Sequence, residues 1–136
     1  MVDGASTTAT QAIENGPQHY VGGYKYSMTM QCEYTSQVWR VWDQAAGGWK
    51  STGVACPHWT PNVWHHVQMY ITNDLTNHAE TYHTLIVDGV PYSLEVTYGV
   101  TNVGFGDNLG FQFQLDNNST GTGVHEWIDQ VSLTVW

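Results

Sequence analysis

Basic residues are nearly missing from this chain. Only Lys25, Arg40 and Lys50 carry a fixed positive charge, against twelve acidic residues, for a formal net charge of -9. A nucleic-acid backbone needs clusters of Lys and Arg, so nucleic acid is not an expected partner. An anionic membrane surface is disfavoured on the same ground. Long apolar runs are absent too, and no segment approaches the length of a membrane-crossing helix. Cysteine is scarce. Two residues, Cys32 and Cys56, cannot make a zinc site alone. Gly-x-Ser-x-Gly, a phosphate loop, His-x-His and His-Glu-x-x-His are all absent. Gly104-Phe105-Gly106 lacks the helix that a dinucleotide fingerprint needs.

What is present is aromatic and β-prone. Seven Trp, eight Tyr, three Phe and 14 Gly stand among 136 residues, and no helical period of useful length interrupts them. One all-β domain over residues 1–136 follows. Residues 1–10 are small and polar, and are expected to form a loosely held lead-in or a first edge strand. Gln11–Glu14 reads as a short strand broken by Asn15-Gly16-Pro17. Tyr24–Tyr34, Gln37–Asp43, Trp49–Thr52, Trp64–Asn73, Glu80–Val87, Val90–Thr97, Leu109–Asp116 and Glu126–Trp136 read as strands. Gly47-Gly48 and Asp88-Gly89 mark turns. Val100–Asn108 reads as a Gly-rich loop. Asn117–Gly123 reads as a turn, and this applies also to the two overlapping Asn-x-Ser/Thr sequons at Asn117 and Asn118. Nine or so strands with short turns predict a two-sheet antiparallel sandwich or jelly roll.

Trp64–Asn73 alternates strictly. Val67, Met69 and Ile71 share one side. His66, Gln68, Tyr70 and Thr72 share the other, polar yet uncharged. Thr29, Gln31, Gln112 and Gln114 occupy the polar side of their own strands. If these strands are neighbours, the amides form a ladder whose paired donors and acceptors suit sugar hydroxyls. Trp39 or Trp42 would add an apolar platform. The expected partner is a neutral poly- or oligosaccharide; a merely solvated face is the alternative.

Acid catalysis of glycoside hydrolysis needs two carboxyls about 5 Å apart or more. Glu14, Asp116 and Glu126 are the candidates, and only tertiary contact could bring two of them together. A lyase would use His66 and Tyr70 as base and acid, with Gln68 and Arg40 on the substrate. His65 and His66 point to opposite faces and do not share a metal; His78 and His83 read as a chance surface pair. No cofactor is expected beyond a structural calcium, with Asp129 and either Asp3 or Asp88 as ligands. A Cys32–Cys56 disulfide is expected, two buried thiols being the alternative. It would close a loop of roughly 25 residues and add about 3 kcal/mol. The charge-poor, Trp- and Asn-rich composition points to a secreted chain, extracellular or periplasmic, whose leader is not among these residues.

Trp64-His65-His66-Val67 followed by Val87-Asp88-Gly89 resembles a pattern of the concanavalin A-like (laminin-G-like) lectin and glucanase sandwiches. Trp127-Ile128-Asp129-Gln130-Val131-Ser132-Leu133 is similar to the last strand of that superfamily. Gln31-Cys32, Trp39-Arg40-Val41-Trp42-Asp43 and Trp49 look like its secreted bacterial members. The resemblance implies two curved antiparallel sheets, with sugar bound on the concave sheet or its rim loops. Glycanases of this fold carry their carboxylates in a Glu-x-Asp-x-x-Glu strand, which is absent here. The chain is also shorter than is usual for the family. N-terminal strands missing from it would leave a sheet edge open to a second copy, so a homodimer is an expectation. A structural or assembly module without a small ligand is the remaining alternative.

Overall fold

The computed structural model describes residues 1–118 and 123–135. Ten strands follow one helical turn, α1 (Ser6–Ala9). The strands are β1 (Thr10–Val21), β2 (Gly23–Ser27), β3 (Met30–Glu33), β4 (Val38–Asp43), β5 (Gly48–Ala55), β6 (Val67–Asp74), β7 (Ala79–Val87), β8 (Val90–Gly99), β9 (Thr101–Phe105) and β10 (Asn108–Asn117). They form a two-sheet antiparallel sandwich. The large sheet has seven strands in the order β5-β4-β3-β1-β2-β9, with β10 on the other side of β1; the small sheet is β6-β7-β8.

Local chemistry sets the hairpins. Val87 pairs with Val90 across a two-residue turn in which Asp88 and Gly89 both have positive φ, 50° and 83°. That is the turn type whose twist matches the flanking strands. Asp74 Oδ1 accepts from the N–H groups of Thr76 and Asn77, both at 2.9 Å, and so closes the β6–β7 turn. Asp43 Oδ1 does the same for Ala46 at 2.9 Å between β4 and β5.

The core lies between the sheets. Ile13, Met30, Cys32, Trp39, Val54, Cys56, Trp59 and Leu85 are buried there. Cys32 and Cys56 form the expected disulfide, with their Cα atoms 5.7 Å apart.

Several expectations need correction. Asn15-Gly16-Pro17 does not break β1. On one side β1 pairs with β10 without interruption, including Gly16 with Gln112 and Pro17 with Phe111. On the other side its ladder passes from β3, ending at Asn15, to β2, beginning at Gln18. Gly16 and Pro17 fall in that gap, where a strand tolerates them. Opposite the gap, Tyr24–Tyr34 is not one strand but β2 and β3, with Met28 and Thr29 kinked out between them. The Thr29 N–H donates back to Ser27 O at 2.6 Å.

Residues 1–10 are neither loosely held nor an edge strand. Val2 is fully buried, and Asp3 Oδ1 accepts from Ser6 N–H at 2.6 Å at the start of α1. The Gly-rich loop at Val100–Asn108 contains β9, paired to β2. Glu126–Trp136 reads as a strand in the sequence. Among the described residues, 123–135 instead make the single bridge Val2–Glu126. Alternation gave this segment an apolar side, but alternation without a partner edge does not make a ladder. Trp136 and most of the Asn117–Gly123 turn lie outside the described residues, including Ser119 and Thr120 of the sequons.

Candidate functional site on the large sheet

Parity along each strand decides which side chains leave the core. In β1, Ile13 lies in the core, and Glu14 and Gln18 have the opposite parity, Glu14 being buried within the sheet face. In β3, Cys32 lies in the core, and Gln31 has the opposite parity and is also buried. In β4, Trp39 and Val41 point in and Arg40 and Trp42 point out. Register then aligns the outward residues. Gln114 of β10 faces Glu14, Glu14 faces Gln31, Gln31 faces Arg40, and Arg40 faces Ser51 of β5. One polar row therefore crosses five strands.

A second row runs along β1 and β10 as a chain of directed hydrogen bonds. Tyr20 Oη donates to Gln18 Oε1 at 3.2 Å, and Gln18 Nε2 to Gln112 Oε1 at 2.6 Å. Gln112 Nε2 donates to Gln114 Oε1 at 3.2 Å, and Gln114 Nε2 to Asp116 Oδ1 at 2.9 Å. From the opposite side, Gln31 Nε2 donates to Glu14 Oε1 at 2.7 Å. All these donors point toward one carboxyl pair.

The Glu14 and Asp116 carboxyls are neighbours across the β1–β10 ladder. Burial pushes the Glu14 carboxyl up to about 7, the neighbouring Asp116 carboxyl pushes the same way, and the Gln31 amide partly offsets them. The neighbouring Glu33 behaves oppositely. Burial raises it, but hydrogen bonds from Ser36 and Thr35 outweigh that and hold it at about 2. Arg40 Nη2 adds a contact to Glu33 Oε2 at 3.0 Å.

At the β4–β5 end of this face, Trp42 and Trp49 meet edge to face, with ring centroids 5.2 Å apart. Trp42 Nε1 donates to Gln44 Oε1 at 3.1 Å, which fixes that ring.

The fold thus unites Gln31, Trp42, Gln112, Gln114, Glu14 and Asp116. It does not unite the rest. Trp39 is core, 1% exposed, against Trp59. His66, Gln68 and Tyr70 belong to β6 and its approach, in the other sheet, so the lyase set with Arg40 is divided between two sheets. The Thr29 hydroxyl is turned back onto Ser27 O at 3.1 Å. Glu126 sits by Met1, pushed by burial up to about 7 against the pull of the terminal ammonium. Asp129 is exposed and accepts from Gln130 N–H at 2.8 Å. Asp3 serves α1, and Asp88 Oδ2 lies 2.8 Å from His65 Nδ1. Among the described residues no three His, Cys, Asp or Glu side chains converge as a metal site.

Gln18 and Tyr20 escape the sequence reading because it ends the strand at Glu14, before Asn15-Gly16-Pro17. Continuing the parity of Glu14 through Gly16 reaches both. No family model, curated protein or solved structure matches the chain.

Proposed function

We propose that this chain is a carbohydrate-binding sandwich of the concanavalin A-like kind, which holds a neutral glycan across the outer face of the large sheet. The supporting observation is the directed amide row from Gln18 through Gln112 to Gln114. Each of these amides uses one donor and one acceptor within the row and keeps one of each for a ligand. A sugar hydroxyl, which donates and accepts together, matches that supply. Trp42 and Trp49 supply the apolar surface for a pyranose face. The scarcity of cations argues for an uncharged glycan, and the disulfide suits a secreted protein. For a homodimer, β6 lies at a sheet edge among the described residues.

Retardation in gels containing neutral polysaccharides tests the reading, with tryptophan fluorescence in parallel. Retardation that weakens in Gln112→Ala and Trp42→Ala is the expected result. A panel of neutral glycans that leaves mobility and fluorescence unchanged overturns it.

One observation favours a second reading, glycan hydrolysis. Glu14 keeps its proton to about pH 7 and could serve as a general acid. Its neighbour Asp116 would be the second carboxyl that such a reaction needs. Release of reducing sugar that disappears in Glu14→Gln is the outcome that would favour hydrolysis over binding.

A further inference from the structure

The polar side of Trp64–Asn73 is not used by the large-sheet face, and it carries an arrangement of its own. Thr72 Oγ1 of β6 lies 2.9 Å from His83 Nε2 of β7. His83 Nδ1 lies 2.9 Å from Glu95 Oε2 of β8. The three groups span the whole small sheet. An ionised carboxylate only accepts, so Nδ1 carries the imidazole proton and donates to Glu95. In the neutral imidazole Nε2 is then the lone-pair nitrogen, and the Thr72 O–H donates to it.

The backbone is irregular at the same place. The β6–β7 register shifts between Tyr70 and Ile71, opposite Thr84 and Tyr82, and the β7–β8 register shifts between Tyr82 and Thr84. Both ladders skip His83. Glu95 has φ 49°, left-handed within a strand and at a residue that is not glycine. Such a conformation is strained and persists where surrounding structure enforces it. A regular three-stranded sheet has no need of it. Here, both register shifts and the left-handed residue coincide with the two hydrogen bonds of one imidazole.

We propose that Thr72, His83 and Glu95 form a nucleophile, base and positioning residue for acyl transfer from small carboxylic esters. Thr72 Oγ1 bonds to the ester carbonyl carbon while its proton passes to His83 Nε2. The carbon–oxygen bond to the alcohol then breaks, and the departing alkoxide takes that proton. Water repeats the sequence on the acyl-threonine, giving its proton to Nε2, and releases the carboxylic acid and the free hydroxyl. Glu95 holds the imidazole in the required tautomer. Thr72 and Glu95 are exposed on an open sheet face, which suits a small acyl group rather than an enclosed ligand.

The test uses the full chain with p-nitrophenyl acetate, following p-nitrophenol release and locating the acetyl group by peptide mass. The expected result is acetyl-Thr72, absent in Thr72→Val and retained at the serine hydroxyl in Thr72→Ser. His83→Asn slows release by about 100-fold or more. Glu95→Gln lowers kcat at unchanged KM, and Glu95→Asp restores part of it, a split that a merely structural role would not produce. Acetyl groups found only on lysine or histidine, or release from Thr72→Val at the unsubstituted rate, overturn the proposal. Ester release is read without glycan and gel retardation without ester, so this proposal and the glycan reading fail separately.

Discussion

Tyr82 of the small sheet places its hydroxyl 2.8 Å from the carbonyl oxygen of Ser27 in the large sheet. The same hydroxyl is 3.0 Å from Trp42 O and 3.4 Å from Glu80 Oε1. One fully buried phenol therefore ties the kink between β2 and β3 to the strand that carries Trp42. Tyr82→Phe keeps the ring and removes the tie. Buried carbonyls are left short of a donor, and the expected loss is about 1–3 kcal/mol, read as a lower urea midpoint.

Glu80 lies beside that hydroxyl and is completely buried. Burial pushes its carboxyl up to about 8, with Asp43 adding to the rise and the Tyr82 and Ser27 hydrogen bonds opposing it. The folded value lies above the ordinary 4.5, so the fold resists ionisation. Stability is full below about pH 4.5 and is lost as pH rises toward 8. Glu14 adds a loss of the same sign, complete near pH 7. Glu33, held at about 2, acts oppositely: its contribution is present above pH 4.5 and disappears as pH falls toward 2. Thermal unfolding across pH 3–9 is expected to peak in mild acid, near pH 4.5–5. Glu80→Gln flattens the alkaline limb; a limb equally steep in that variant would sink this account.

Gly16 is required by its position. Its φ is 153°, and a Cβ there would run into the Met28 carbonyl and come within 2.7 Å of Thr29 Cα. These are backbone atoms and cannot swing aside. Gly16→Ala is expected to cost more than about 2 kcal/mol in chemical denaturation. Gly110 meets nothing within 4 Å, so Gly110→Ala serves as the near-neutral control.

Trp39 and Trp42 are three residues apart and differ in role. Trp39→Ala opens a cavity in the core and is expected to cost about 3–5 kcal/mol. Trp42→Ala is expected to leave the urea midpoint within about 1 kcal/mol while weakening retention by glycan gels. Equal destabilisation by the two changes would contradict the assignment of Trp42 to the outer face.

Much of this was legible where alternation and turn chemistry agree. β6 and the Asp88-Gly89 turn followed from a strict period of two and a strong turn signal. The shared side of Gln112 and Gln114 followed from equally local information, and the disulfide from two cysteines in a secreted-looking composition. What stayed hidden was relational. The parity of Trp39 and Trp42 was plain, but nothing within one strand says which parity faces the other sheet. His66 and Gln114 both lie on polar sides, yet of different sheets, because strand neighbours are chosen by the whole chain. Gly16-Pro17 looked like a break because the usual meaning of that pair assumes partners on both sides throughout. The Thr72, His83 and Glu95 contact depends on two register shifts that no periodicity announces.

β1 has a further consequence, in time rather than in space. Its ladder to β10 joins Thr10 to Asn117, nearly opposite ends of the chain. The β4–β5, β6–β7 and β7–β8 hairpins need only neighbouring residues and can close as soon as they exist. β1 must wait for almost the entire polypeptide before its long edge is covered, and closing so distant a pair is slow. During synthesis the first strand made is thus among the last to be completed. Until then its uncovered edge is where this chain is most open to pairing with the wrong strand.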